Sequence, residues 1–481
     1  RNEEESLQGI SNYIDDIING NVNSGNEEEI KENIPNKPIL KTGMTAIKFN
    51  EPTETSNGTV VETNENDSEW YNYENKKWAN AKTEDGSMWV WIPRYAYRIN
   101  ESNQTVDVVF LQGTSDNYYD EEGKLQTAKR CEGVDDIVDT TEGFTVHPAF
   151  TDESGIDYRN GGWDKEIEGI WVAKFEAGYV EKGTEKSSSV YYTSQYAWAP
   201  SIESGTGYDS TVSARNYLDG IYGETETSIK YPTFQGSKYS MNYMTISDAY
   251  NISKALTESG NIYGLSSDSD SHLIKNSEWG AIVYLTKSIY GINEKDIVTN
   301  TKDINNNPQS TYTITGYNSN NNEWNEMVNE ALSASSTGNI YGIYDLAGGL
   351  FELTSSYISN GNENLKNGIS FTMFNNSSSY QNKSTKYTMV YVANDLGESI
   401  DDRMQSNYEL NDTYGDAIKE TSIAGKGYNS WYNDYSFFAQ LNEPFFMRGG
   451  VYYMNNESGL MAFSRVDGTS IFHDGFRVIL I

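Results

Sequence analysis

The chain has little of what most catalytic machinery is built from. A single cysteine, Cys131, stands among 481 residues, which excludes an intrachain disulfide and any zinc site made of several thiolates. It lies in a polar stretch beside Lys129, Arg130 and Glu132. Two adjacent cations favour a thiolate somewhat, but an inert unpaired cysteine is the plainer reading. There are only three histidines, His147, His272 and His473, in three separated segments. None has the i, i+4 spacing that places two imidazoles on one helical face, and the His147-Pro148 pair reads as structural. No Gly-x-Ser-x-Gly elbow, phosphate-cradling loop or dinucleotide fingerprint is present. Cations are scarce as well: 35 basic residues face 70 acidic ones, a formal net charge of -35, which repels phosphate backbones and argues against nucleic acid as a partner. The same acidity serves solubility. No run approaches the roughly 18 apolar residues of a membrane span.

What the chain has in abundance is aromatic and small polar residues. Thirty-seven Tyr and 10 Trp, with a modest aliphatic share, point to an aromatic-rich sheet protein carrying long exposed loops rather than to a helical bundle. Low cysteine usage with much Asn, Ser, Thr and Gly fits an exported protein, and a start at Arg1 suggests that an export or anchor segment has been removed. The expected localisation is extracellular, at a cell surface.

Three units are expected. Residues 1–34 carry Leu7, Ile10, Ile14, Ile17 and Ile18 on one helical face between acidic clusters, which reads as a short stalk helix or as a helix that packs in self-assembly. Residues 35–84 read as a small β module: Met44 to Phe49, Thr59 to Thr63, and an aromatic hairpin from Glu69 to Ala81. That hairpin offers either a sugar-stacking face or, the favoured reading, a cross-strand ladder stabilising a thin sheet. Residues 85–481 form the main domain. Ser87 to Ile99 reads as a strand with Thr105 to Leu111 as its hairpin partner, and Pro93 marks an edge or bulge. Phe144 to Phe150 and Gly169 to Tyr179 are further strands. Helices are expected after Thr245 or Ser247, and from Asn276 or Ser277 with Glu278 in the first turn. Gln112 to Glu142, Gly183 to Gly236, Asn300 to Asn325, Ser355 to Lys386 and Asp395 to Tyr435 are read as polar excursions and long loops, and loops of that length usually serve a function. The fold class is therefore α+β.

The organising stretch is Asn339 to Ser355, NIYGIYDLAGGLFELTS. Gly338 and the Gly348-Gly349 pair bracket the apolar run Ile340 to Leu346, which reads as turn, strand, turn, strand. Phe351 and Leu353 alternate with Glu352 and Thr354, the period of a half-buried strand. This stretch resembles the Asn-x-x-Gly-Leu-Tyr-Asp-Met-x-Gly-Asn-Val-Trp-Glu-Trp core of the formylglycine-generating enzyme (sulfatase-modifying factor) family. Other landmarks follow in the family's order: EGIWVAKFEAGY from Glu168, YMTISDAYNISKAL from Tyr243, SEWGAIVYLTKSIYG from Ser277, MRGGVYY from Met447 and DGFRVIL from Asp474. The resemblance implies an elaborated C-type lectin fold with long irregular loops over most of Ser87 to Ile481. The family's enzymes use a late cysteine pair to hold copper, and its ergothioneine-synthesising relatives a histidine cluster for iron. This chain has neither, so the expected protein is not an enzyme.

The resemblance also implies structural calcium near the core motif, where Gly349 and Glu352 stand and Asp345 adds a hard carboxylate. Gly349 replaces the family's Asn, and the family's Trp-Gly-Asn ligand segment has no counterpart after Gly291. Lectin-fold proteins similar to this one, including phage receptor-binding proteins and retroelement-diversified bacterial surface proteins, bind ligands in their closing region. That places candidate ligand contacts at Tyr452, Tyr453, Asn455, Asn456, Arg465, Asp467, Phe472 and His473. Trp431, Tyr432 and Tyr435 join them on composition, since Tyr, Asn and Ser make adaptable binding surfaces. Leu460, Ala462, Phe463, Phe476, Val478 and Leu480 alternate as core, and Arg448 and Arg477 are assigned to buried bidentate bonds that pin the closing strands. The expected function is adhesin-like binding of a cell-surface glycan or protein, with a pilin-like filament subunit and a phage receptor-binding protein left open.

Overall fold

The computed structural model describes residues 31–50, 59–130, 139–152, 160–181, 230–236, 238, 240–242, 245–301, 314–316, 332–368, 384–392, 413–422, 426–469, 471 and 473–481. The expected N-terminal helix and Cys131 lie outside them. The molecule is sheet-rich α+β, with two seven-stranded sheets and, among the described residues, two α-helices.

The first sheet is antiparallel throughout and runs in the order Ser271–Leu273, Val478–Leu480, Gly169–Ala173, Met88–Pro93, Asn80–Lys82, Thr45–Phe49, Val60–Glu62. The terminal strand is thus inserted between two earlier ones, and the strands of the 35–84 stretch extend the same sheet, Asn80–Lys82 pairing with Met88–Pro93. Trp91 faces Trp171 across the ladder with ring centroids 5.3 Å apart. Both of those central strands are buried along their whole length, so their aromatics fill a core that is covered on two faces. Pro93 ends its strand, where its missing N–H costs no ladder bond. The hairpin Tyr95–Asn100 with Thr105–Phe110 forms in the expected place. A short hairpin, Asn117–Tyr119 with Leu125–Thr127, lies inside the polar excursion.

The aromatic segment from Glu69 to Ala81 is neither a sugar-stacking face nor a thin-sheet ladder. Trp70, Tyr73 and Trp78 are buried in the main core, and each polar tip reaches a backbone carbonyl: Trp70 Nε1 to Asn80 at 2.8 Å, Tyr73 Oη to Trp91 at 2.6 Å, Trp78 Nε1 to Tyr290 at 2.8 Å. Large rings with one polar atom suit such a position, because burial of the ring is favourable only when the donor is satisfied.

Helix α1, Ile246–Ala255, is capped by Thr245 in a reciprocal capping box with Asp248. Helix α2, Asn276–Thr286, begins where Glu278 turns back to the Lys275 N–H at 2.8 Å. Every residue of α2 is buried, so it packs on all sides rather than along one stripe.

The second sheet is mixed and centres on Phe351–Ser359. This strand runs parallel to Met389–Val392 and to Asp474–Phe476, and antiparallel to Phe445–Arg448, beyond which lie Phe463–Val466, Ser436–Phe437 and Lys426–Gly427. Two expectations change here. The run Ile340 to Leu346 is an irregular buried loop rather than a strand, held by Tyr344 N to Lys174 O at 2.8 Å and by the Lys174 ammonium, which donates to the carbonyls of Ile340 and Gly342. A buried cation with carbonyl acceptors there replaces the neighbour strand that the pattern implied. Phe351–Ser359 is buried at all nine positions, not on alternate ones, because sheet partners and α1 cover it.

Candidate functional site

The two closing segments interlock. Gly449 and Gly450 both have positive φ, and a Cβ on Gly450 would lie 2.3 Å from Ser458 Oγ. This tight turn brings Gly459 against the Asp434 carboxylate, which accepts the Met461 N–H at 2.9 Å. Tyr435 N donates to Glu457 O and Phe463 N to Tyr435 O, each at 2.9 Å. Residues 428–438 are thereby fixed beside 452–466.

The result is a strip of half-buried rings. Tyr435 stacks on Phe437 at 4.4 Å, meets Tyr428 edge-on at 6.0 Å and approaches Phe351 at 6.4 Å. Arg465 lies 4.9 Å over Phe437 while its Nε donates to Glu443 at 2.8 Å. Phe351 packs on His473 at 5.7 Å, and His473 Nδ1 is 3.0 Å from the Tyr453 hydroxyl. Behind it Asp474 is fully buried, with Oδ1 3.5 Å from His473 Nε2. Burial pushes the Asp474 carboxyl well up and the His473 imidazole down to about 4, so neither carries charge readily at this depth. Four of the expected contacts, Tyr435, Tyr453, Arg465 and His473, are therefore neighbours.

The other expected contacts part company with them. Trp431 and Tyr452 are buried in the core at 7% and 2% exposure, so neither offers the strip an exposed ring as expected; Trp431 lines the polar cleft that adjoins the strip instead. Tyr432 turns away to lie 3.9 Å under the Lys287 ammonium, with its hydroxyl near the Gln104 and Glu294 carbonyls. Burial lowers Lys287 to about 8 and raises Tyr432 to about 12. Asp467 spends its carboxylate on the backbone and hydroxyl of Thr469. Asn456 is exposed beside Asn455 in a short 3₁₀ turn. Phe472 lies outside the described residues.

The expected calcium ligands are also spent internally. Glu352 receives Arg477 in a bidentate pair, Nε to Oε2 at 2.8 Å and Nη2 to Oε1 at 2.5 Å. Asp345 accepts from Gly316 N and Asn300 Nδ2, and the Gly349 carbonyl accepts Tyr452 N at 2.9 Å. Arg477 thus stands as the cation of this acidic centre, and the oxygens of Asp345, Gly349 and Glu352 do not fit a calcium shell. Among the described residues no group of three or more acidic, histidine or cysteine side chains could hold a metal ion. The pattern reading missed Glu176, which joins this cluster by accepting the Leu350 N–H at 2.9 Å and the Ser240 hydroxyl. Burial, then Asp345 and Glu352, raise its carboxyl well above the ordinary range. Its signal was an acid set between Phe175 and Ala177 in the otherwise apolar second half of EGIWVAKFEAGY.

A second feature adjoins the strip at Tyr428. A polar cleft of about 470 Å³ runs between the 101–104 turn on one side and residues 419–422, 428–431 and Asn433 on the other. Two of its lining residues have left-handed backbone, Gln104 (φ 54) and Asn433 (φ 63), and Tyr432 (φ 62), next to Asn433, is a third. Only Asn433 could have been singled out by type, since Asn tolerates that region better than most residues. No family model matches the chain, and no curated protein matches it.

Proposed function

We propose that the chain is a non-catalytic ligand-binding protein of an extracellular surface, its sheet-rich core an elaborated C-type lectin fold similar to that of formylglycine-generating enzymes, and that it contacts its ligand through the strip around Tyr435. The observation that carries this is the row of partly exposed rings, Tyr428, Tyr435, Phe437 and Tyr453, with Arg465 laid on one of them, all held by sheet edges and glycine turns. Aromatic and Arg side chains dominate recognition surfaces because they offer large area with few rotors. The acidic, cation-poor composition supports a glycan or protein partner over a nucleic acid.

Binding to glycan and cell-surface arrays tests the reading. Tyr435→Ala and Tyr453→Ala should each weaken binding by about 1 to 3 kcal/mol while the melting temperature stays near wild type. Undiminished binding in both would place the contact face elsewhere.

A further inference from the structure

The outer edge of strand Thr105–Phe110 is closed at both ends and open between them. On the far side of its hairpin partner, Tyr95 O accepts the His147 N–H and Ile99 N donates to Thr140 O, so Ala96, Arg98 and Asn100 are the residues that bond Val109, Asp107 and Thr105. Val106, Val108 and Phe110 therefore turn their backbone groups outward. Val106 N donates to Lys287 O at 3.0 Å. At the other end the Asn33 side chain makes a reciprocal pair with Phe110, accepting from its N–H at 2.8 Å and donating to its carbonyl at 2.7 Å. Between them, no described residue takes the outward N–H or C=O of Val108. Unpaired groups on a strand edge are a template for a further strand. A cavity of about 660 Å³ lies along this gap, lined by Val108, Tyr118, Phe144, Tyr290 and Ile289, the last left 64% exposed. From Val106 to Phe110 the edge runs about 14 Å at roughly 3.4 Å per residue, the length of a short extended segment.

Charge selects the occupant. Five carboxylates, Glu32, Glu74, Asp107, Asp120 and Glu121, line the cavity against two cations, Lys31 and Arg98. Asp107 pairs with Arg98 at 2.6 Å, and Asp120 accepts the Glu122 and Lys124 N–H groups, but Glu32, Glu74 and Glu121 bond no described group. Both cations already rest on rings, Lys31 5.4 Å from the centre of Tyr119 and Arg98 5.1 Å from that of Phe144, so the walls attract positive charge by their rings as well as by their acids. The chain's own segment ahead of Lys31 carries Glu27, Glu28 and Glu29, and a second copy brings a net charge of -35, so each meets its own sign here. We propose that this edge is a docking site for an extended segment of another polypeptide in which Lys or Arg alternates with aliphatic residues. The segment pairs with Val108 as an added strand and sets its cations against Glu32, Glu74 and Glu121. The site shares no residue with the strip around Tyr435 and stands independently of it.

The test titrates the full chain, by fluorescence anisotropy, with a labelled octapeptide that alternates Lys and Val and with its Glu-Val counterpart. Two further Lys-Val forms are N-methylated at every Val or at every Lys, which strips the amide donors from one edge of the probe and keeps its charge. Glu74→Gln with Glu121→Gln lowers the charge of the wall, while Glu65→Gln with Glu258→Gln removes the same charge from exposed positions outside the cavity. Expected are saturable binding of the Lys-Val peptide and none of the Glu-Val peptide, with about a five- to tenfold loss on at least one of the two methylations. The wall variant should lose about three- to tenfold and its charge-matched control should not. Parent affinity in both methylated forms would mean that the acidic surface attracts any cation, and equal affinity in the two double variants would put the peptide on another face. Either result overturns the proposal, as does an absence of saturable binding. Displacement of the probe by a synthetic peptide of residues 1–30 would assign the edge to the chain's own segment, and dimers of the chain that the probe dissociates would assign it to a second copy; both also overturn it.

Discussion

Trp431 and Tyr452 show how a residue type that reads as a contact becomes a support. Both belong to segments dense in Tyr, Asn and Ser, yet each ring is buried in the main core, that of Tyr452 edge-on to Tyr453 at 5.1 Å. Truncating a buried aromatic removes apolar burial and leaves a cavity, which costs about 3 to 5 kcal/mol. Trp431→Ala and Tyr452→Ala should accordingly lower the urea midpoint strongly, and any loss of binding should track unfolding. Midpoints within error of wild type would mean that these rings face solvent. Tyr435 and Tyr453, half-buried with one face shared among other rings, are the positions where binding and stability separate.

At the level of elements, the organising stretch keeps its glycines and loses one strand. Gly348 and Gly349 have φ of 76° and 68°, and a Cβ would lie 2.3 Å from Asn300 O at the first and 2.9 Å from the Glu176 carboxylate at the second. Valine at either position should cost at least the roughly 1 to 3 kcal/mol of a strained backbone, read as a fall in melting temperature; an unchanged Tm for both would show that the turn can be built another way. The glycines were legible because only backbone conformation demanded them. So were the capped start of α1, the hairpin of Tyr95–Asn100 with Thr105–Phe110, and the internal role of Arg448, whose guanidinium bonds the Asp416, Ala417 and Ala462 carbonyls. The loop nature of Ile340 to Leu346 was not, since an apolar run with strand length is silent about whether a neighbour strand or a buried Lys174 will satisfy its carbonyls. The cleft was equally hidden: it joins a turn near Gln104 to residues more than 300 positions away, and left-handed Gln104 and Tyr432 carry no sequence mark.

For the molecule as a whole, charges of both signs are taken inside. Among the described residues Arg94, Lys174, Lys275, Lys287, Arg448 and Arg477 are fully buried, and so are Glu176, Glu278, Glu352, Asp416 and Asp474. Arg477 spans the two sheets, from the Ala173 carbonyl in one to Glu352 in the other. The buried histidines then set a pH dependence. His147 is enclosed by Tyr95, Tyr97, Phe150 and Tyr284, its Nδ1 accepts the Ala149 N–H at 3.2 Å, and burial lowers its pKa from 6.5 to about 3. The sign follows: between pH 6.5 and 3 the unfolded chain binds a proton here that the folded chain refuses, so stability is full above 6.5 and falls as the pH drops. His473, lowered to about 4, adds in the same direction. Discharge of the acidic surface acts on any variant alike, so comparison with His147→Asn, which keeps an acceptor for Ala149 N, isolates the one group. The stability difference between wild type and variant should shift by about 2 kcal/mol toward the variant from pH 7 to pH 5, measured as urea midpoints at each pH. Curves that stay parallel over that range would mean that His147 takes up its proton in the folded state and that its aromatic enclosure admits water.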